Sequence, residues 1–212
     1  MSAAYRRFAG MVSYLVAIGG LAYSVLFVIA VKADSGAAET ASWALLMVGG
    51  LLSTAVLVAL YQLLRDVEAG FAMWGLLLGF VGAAGSIIHG GFELARVIPS
   101  EVPLTLPANP VDPRGLLTFG AAGVGLTVLS ALIRRSPALP SGLGGLGIAL
   151  GILLVLVYLG RLFIVDPNEP VLLGLAAVTG VLAHPAFFLW LGASLRRAAE
   201  RPGLSSPAPD RA

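Results

Sequence analysis

Six long apolar runs dominate the sequence. A helix needs about 20 apolar residues to cross the hydrocarbon core of a bilayer, and we predict spans at 8–31, 42–64, 71–97, 115–133, 143–165 and 171–195. The runs lack the apolar/polar alternation of barrel strands, and backbone in lipid must satisfy its own hydrogen bonds. The predicted fold is all-α: a six-helix transmembrane bundle over residues 1–201, followed by a disordered, Pro/Ser-rich cytoplasmic tail at 202–212.

Charged residues are too rare for a water-soluble domain. They make up 11% of the chain, against about 25% in a typical soluble protein. The net charge of +2 gives no indication of a nucleic-acid partner, and the absence of cysteine excludes thiol chemistry and Cys-ligated metals. The predicted partner is the lipid bilayer, and a small ligand or a partner membrane subunit is left open.

The distribution of basic residues predicts the orientation. With the N-terminus inside, nine arginines lie on the inner side, and Lys32, Arg96, Arg114 and Arg161 lie on or near the outer side. The positive-inside rule then places both termini cytoplasmic. The first run is longer than the apolar region of a signal peptide, which is about 7–15 residues, so it is interpreted as a retained helix.

The third run carries ionisable residues within its outer half. His89, Glu93 and Arg96 follow Ser86 at steps of three or four residues, so their side chains neighbour one another on the helix. Ionisable groups at membrane depth are costly and usually face a partner or a water-filled cavity. Arg161 in the fifth run lies at a similar depth, with Tyr158 beside it. We therefore expect Glu93 and Arg161 to be close together in an outward-facing polar cluster.

This cluster has three interpretations. Arg96 and Arg161 could extend to the headgroups while Glu93 pairs with an arginine, which is purely structural. The cluster could bind a small or anionic ligand. His89 and Glu93 could instead form a proton or ion route.

His184 precedes Pro185 near the middle of the sixth run. Proline removes a backbone donor and commonly kinks a helix, so the imidazole could satisfy a carbonyl freed by the kink or by a neighbouring helix. His184 and His89 could also be two axial haem ligands. Helix rise, however, separates their depths by roughly 8 Å, which disfavours that pairing.

Two pairs of segments resemble each other. Residues 93–103 and 158–170 each place an arginine shortly before a turn that contains proline and an acid, and residues 131–135 and 193–197 each end in Arg-Arg. A parallel repeat of helical hairpins would explain the likeness. The limited residue choice at helix ends would explain it as well.

Several apolar motifs resemble a known family. They lie at 5–10, 60–64, 71–82, 131–147 and 185–191, and include Leu60-Tyr-Gln-Leu-Leu64 and Pro185-Ala-Phe-Phe-Leu-Trp-Leu191. The chain resembles the bacterial multi-pass membrane family catalogued as domain of unknown function 4386. The resemblance implies an inner-membrane protein with no assigned activity and transfers no site residue.

The sequence predicts a non-enzymatic binder or sensor of a small ligand or lipid, with an outward-facing polar pocket. The candidate ligand-binding residues are His89, Glu93, Arg96, Tyr158, Arg161 and His184. No catalytic residue, metal or cofactor is predicted. A small proton-coupled transporter is the first alternative, and a haem-binding membrane protein is the second.

Overall fold

The structure, a computed structural model, describes residues 1–97, 114–164 and 169–200. In this part of the chain six helices are long and apolar enough to cross a membrane, which confirms the predicted helix class. They are α1 Ala3–Ala33, α2 Gly36–Leu64, α3 Ala69–Val97, α4 Leu116–Arg135, α5 Ser141–Phe163 and α6 Pro170–Glu200. The predicted tail at 202–212 and the loop at 98–113 lie outside the described residues.

Most helices extend beyond the predicted apolar runs. The second begins at Gly36 rather than 42, because the Ser35 side chain accepts a hydrogen bond from the Ala38 N–H at 3.4 Å and caps the helix. The sixth ends at Glu200 rather than 195, whereas the fifth ends at Phe163, two residues early. Hydropathy marks where polar residues begin, but a helix continues until its backbone groups are capped. The earlier start of α2 brings Glu39 into the bundle.

The helices form a ring in chain order. Each helix neighbours the next, α6 closes the ring against α1, and the looser contact is between α5 and α6. Arg6 Nη1 donates to the Ala198 carbonyl at 3.2 Å, so α1 begins where α6 ends. We call this end the terminal face and the opposite end the distal face.

The hydrophobic core fills the half of the ring nearest the terminal face. Its fully buried side chains include Leu60, Leu64, Ile133, Leu143 and Leu195. The outside of the ring is also apolar: Phe163 is 83% exposed and Val171 is 68% exposed. An apolar exterior of this kind would be unfavourable in water and suits contact with lipid tails.

The hairpins α1–α2, α3–α4 and α5–α6 repeat one pattern. The π-helical segments Leu116–Ala121 and Val178–Ala183 lie 62 residues apart, as do the Arg-Arg pairs that end α4 and α6. In each even-numbered helix two buried aliphatic residues precede an arginine. These residues are Leu60, Leu64 and Arg65; Leu129, Ile133 and Arg134; and Leu191, Leu195 and Arg196.

Equivalent glycines also make equivalent contacts across the ring. Gly10 packs on Gly192 and Arg196, and Gly144 packs on Ser130 and Arg134. A Cβ at residue 10 would lie 2.7 Å from Arg196 Cγ, and one at residue 144 would lie 2.6 Å from Arg134 Cγ. The limited residue choice at helix ends cannot produce matched packing and matched π-helical segments. These features therefore favour internal duplication over chance.

Candidate functional site

A cavity of about 750 Å³ lies inside the ring and is lined by all six helices. Its volume is within the range of ligand-binding sites, about 300–1,000 Å³. All six residues selected from the sequence line it: His89, Glu93, Arg96, Tyr158, Arg161 and His184. Tertiary packing therefore gathers side chains from three helices around one space.

The lining residues of α1, α3 and α5 follow each helix towards the distal face at steps of three or four residues. They are Val16, Gly20, Tyr23 and Phe27 on α1; Gly82, Ser86, His89 and Glu93 on α3; and Leu150, Leu154, Val157 and Arg161 on α5. Helix rise makes each series about 16 Å long. The charged lining residues lie at the distal end, and the deepest residues of the three series are apolar. The cavity is thus amphipathic along its length.

An ion-pair network holds the distal end of the cavity. The Glu93 carboxylate accepts hydrogen bonds from Arg96 Nε and from Arg114 Nη2, each at 2.7 Å. Arg96 Nη2 also donates to Glu39 Oε1 at 3.1 Å. Charge-assisted hydrogen bonds are the stronger class, and these connect α2 and α3 with Arg114, which lies two residues before the start of α4.

Arg161 lines the same cavity as Glu93, and no hydrogen bond or ion pair among those described joins the two side chains. Arg161 donates from Nη1 to the Ile164 carbonyl at 3.1 Å. The arginine that reaches Glu93 from another segment is Arg114. Depth along a helix predicted that Glu93 needs a cationic partner, but it could not select among cations from different segments.

An aromatic wall lies beside the network. The His89 ring stacks on Trp43 with 5.4 Å between ring centroids, and Phe27 meets Trp43 edge-on at 6.1 Å. His89 Nδ1 is 3.4 Å from Thr118 Oγ1. Trp43 Nε1 donates to Glu39 at 3.5 Å, which couples the wall to the ion pairs.

Sequence analysis did not select Glu39, Trp43, Arg114 or Thr118. Polar and aromatic residues are common near the ends of membrane helices, so their positions alone gave no signal. The four-residue spacing of Glu39 and Trp43 becomes informative once α2 is known to begin at Gly36.

His184 lies deeper, where α6 passes from a π-helical to an α-helical turn. Its ring packs against Gly20 of α1, where a Cβ would be 2.6 Å from Nδ1, and against Phe188 at 4.6 Å between ring centroids. In the described part of the chain its buried Nδ1 has no hydrogen-bond partner. The interpretation that the imidazole satisfies a freed carbonyl is therefore wrong for this nitrogen. A π-helical turn directly before Pro185 is a known way to accommodate a helix irregularity.

No family model, curated protein or solved structure matches this chain. A function must therefore be inferred from the cavity itself.

Proposed function

We propose that this chain is a non-enzymatic, multi-pass protein of a bacterial inner membrane, with both termini cytoplasmic. Six apolar helices with an apolar exterior support insertion into a membrane. The excess of arginine on the terminal face supports the orientation. Membership of the family that the chain resembles is part of this proposal and adds no activity to it.

We further propose that the cavity binds a single-chain amphiphile. The observation that carries this proposal is the segregation of charge in the lining: the charged side chains lie at the distal end, and the lining below them is mainly apolar, with two histidines and scattered hydroxyl groups. A head group would meet Arg96 and Arg161, and a hydrocarbon chain would extend towards Val16 and Leu150. Burial of a chain is favourable by about 0.8 kcal/mol per CH₂ group, so the apolar depth would supply most of the affinity.

Filling the cavity tests this proposal. Leu154→Trp places a large side chain in the wall of the cavity, and Leu159→Trp makes the same change on the same helix at a residue that does not line the cavity and is 40% exposed. Thermal unfolding of detergent-purified protein is measured with fatty acids and lysophospholipids. A ligand at a hundred times its Kd raises the apparent stability by about 2.7 kcal/mol. We expect this gain in the wild type and in Leu159→Trp, and its loss in Leu154→Trp.

Two results would contradict amphiphile binding. One is the absence of stabilisation of the wild type by every compound in the panel. The other is an unchanged gain in Leu154→Trp, which would place the compound on the outer surface.

The internal repeat favours a second candidate function, proton-coupled transport. Parallel repeats related by an axis along the membrane normal are a feature of transporters, and His89 and Glu93 are titratable groups in the cavity. Uptake into proteoliposomes that depends on a pH gradient and is lost in Glu93→Gln would support transport. The haem alternative remains a prediction, for which a Soret band in the purified protein is the check.

A further inference from the structure

His184 is distinguished from the other cavity residues by its hydrogen bonding. Six side-chain polar atoms in the described part of the chain are buried without a hydrogen-bond partner, and of these His184 Nδ1 alone belongs to a residue that lines the cavity. Burying a polar group without a partner costs free energy unless something else satisfies it. No described hydrogen bond uses either nitrogen of this ring.

The surroundings hold the imidazole in this position. The ring fits against α1 because Gly20 has no side chain. A Cβ at this position would collide with the ring. Phe188 packs on the ring from the same helix. In the repeat, Ser53 of α2 and Ala122 of α4 occupy the positions that correspond to His184, and both line the cavity. Of these three corresponding positions, the one in α6 alone carries an imidazole.

Three neighbouring serine hydroxyl groups already donate their protons to backbone carbonyls. Ser24 donates to the Gly20 carbonyl at 2.9 Å, and Ser53 donates to the Gly49 carbonyl at 2.7 Å. Ser86 donates to the Gly82 carbonyl at 3.1 Å. Among the described side chains at this depth, His184 is thus the group with an N–H still to offer.

We propose that His184 is a second recognition point for the ligand, and that the ligand carries a hydroxyl or carbonyl oxygen in the middle of its hydrocarbon chain. This inference rests on the proposed function. Nδ1 is buried against Gly20, so the nitrogen that a ligand would meet is Nε2, which is not among the buried atoms without a partner. A neutral imidazole has one donor and one acceptor nitrogen, so Nε2 can bind a hydroxyl in either tautomer and a carbonyl when it carries the N–H. His184 packs on Gly20, and the seven residues from Gly20 to Phe27 place this point about 10 Å deeper than Phe27 along α1, away from the charged end of the cavity.

The test compares two fatty acids that differ in one oxygen atom. Binding of stearate and of 10-hydroxystearate is measured by radioligand competition, with the full chain in nanodiscs. Three proteins are compared: wild type, His184→Phe, which keeps a ring without nitrogen, and His184→Gln, which keeps a hydrogen-bonding group. One additional hydrogen bond in a buried site corresponds to about a tenfold change in affinity.

We expect the wild type to bind 10-hydroxystearate about tenfold more tightly than stearate. His184→Phe should bind the two equally, with stearate affinity retained, and His184→Gln should recover part of the preference. Equal affinities in the wild type, or a preference that survives in His184→Phe, would overturn the role of His184 while leaving the amphiphile site intact. Failure of both compounds to bind any of the proteins would overturn both proposals.

Discussion

Glu93 is 7% exposed and lies in a largely apolar helix. Removing a carboxylate from water is costly, and attraction to a cation compensates for this only when the geometry is good. Here two guanidinium groups reach its two oxygens at 2.7 Å. The attraction to the two guanidinium groups therefore outweighs the cost of desolvating the carboxylate. Removing this charge should cost more stability than removing the charge of an exposed acid.

We expect Glu93→Gln to lower the free energy of unfolding in detergent by about 1–3 kcal/mol, because the variant loses the charge-assisted hydrogen bonds that Arg96 and Arg114 make to the Glu93 carboxylate. The value lies below that for a fully buried pair, since the Arg96 side chain is 38% exposed and can reach water. Asp66→Asn is the control, because that side chain is 87% exposed and its change should stay within about 0.5 kcal/mol. Equal stability of the two variants would show that the network contributes nothing.

Helix packing depends on individual glycines. Gly144 and Gly145 are adjacent on α5 but differ in their surroundings. A Cβ at 144 would lie 2.7 Å from the Ser130 carbonyl oxygen and 2.8 Å from the Arg134 nitrogen, whereas a Cβ at 145 would meet nothing within 4 Å. The contact with α4 therefore requires glycine at residue 144. Nothing in the described structure requires it at residue 145.

Alanine should have opposite effects at these two positions. Gly144→Ala pushes α4 and α5 apart, and overpacking of this kind costs about 1–3 kcal/mol. Gly145→Ala should raise stability by about 0.5–1 kcal/mol, because alanine loses less conformational freedom than glycine in a helix. Chemical unfolding in detergent measures both. Destabilisation of similar size in the two variants would contradict close packing between α4 and α5 at Gly144.

The chain as a whole has an apolar girdle, a packed core near the terminal face and a cavity near the distal face. This asymmetry makes orientation important for function, because the orientation decides which side of the membrane the charged end of the cavity faces. The absence of cysteine allows single-cysteine labelling without prior substitutions.

Ala33→Cys and Asp66→Cys place one thiol at exposed positions on opposite faces of the bundle. With both termini in the cytoplasm, a membrane-impermeant maleimide should label Ala33→Cys in intact cells. It should label Asp66→Cys only after the cells are permeabilised. The reverse pattern would invert the proposed orientation and turn the cavity towards the cytoplasm.

The sequence alone determined the helix class, the number of apolar helices and the need of Glu93 for a cationic partner. Run length and the three-to-four-residue spacing of side chains are properties of a single continuous segment. The tertiary structure decided that this partner includes Arg114, that Trp43 stacks on His89, and that Gly20 makes room for His184. Each of these contacts joins segments far apart in the chain, where the register and approach of two helices, rather than the composition of either, set which side chains meet.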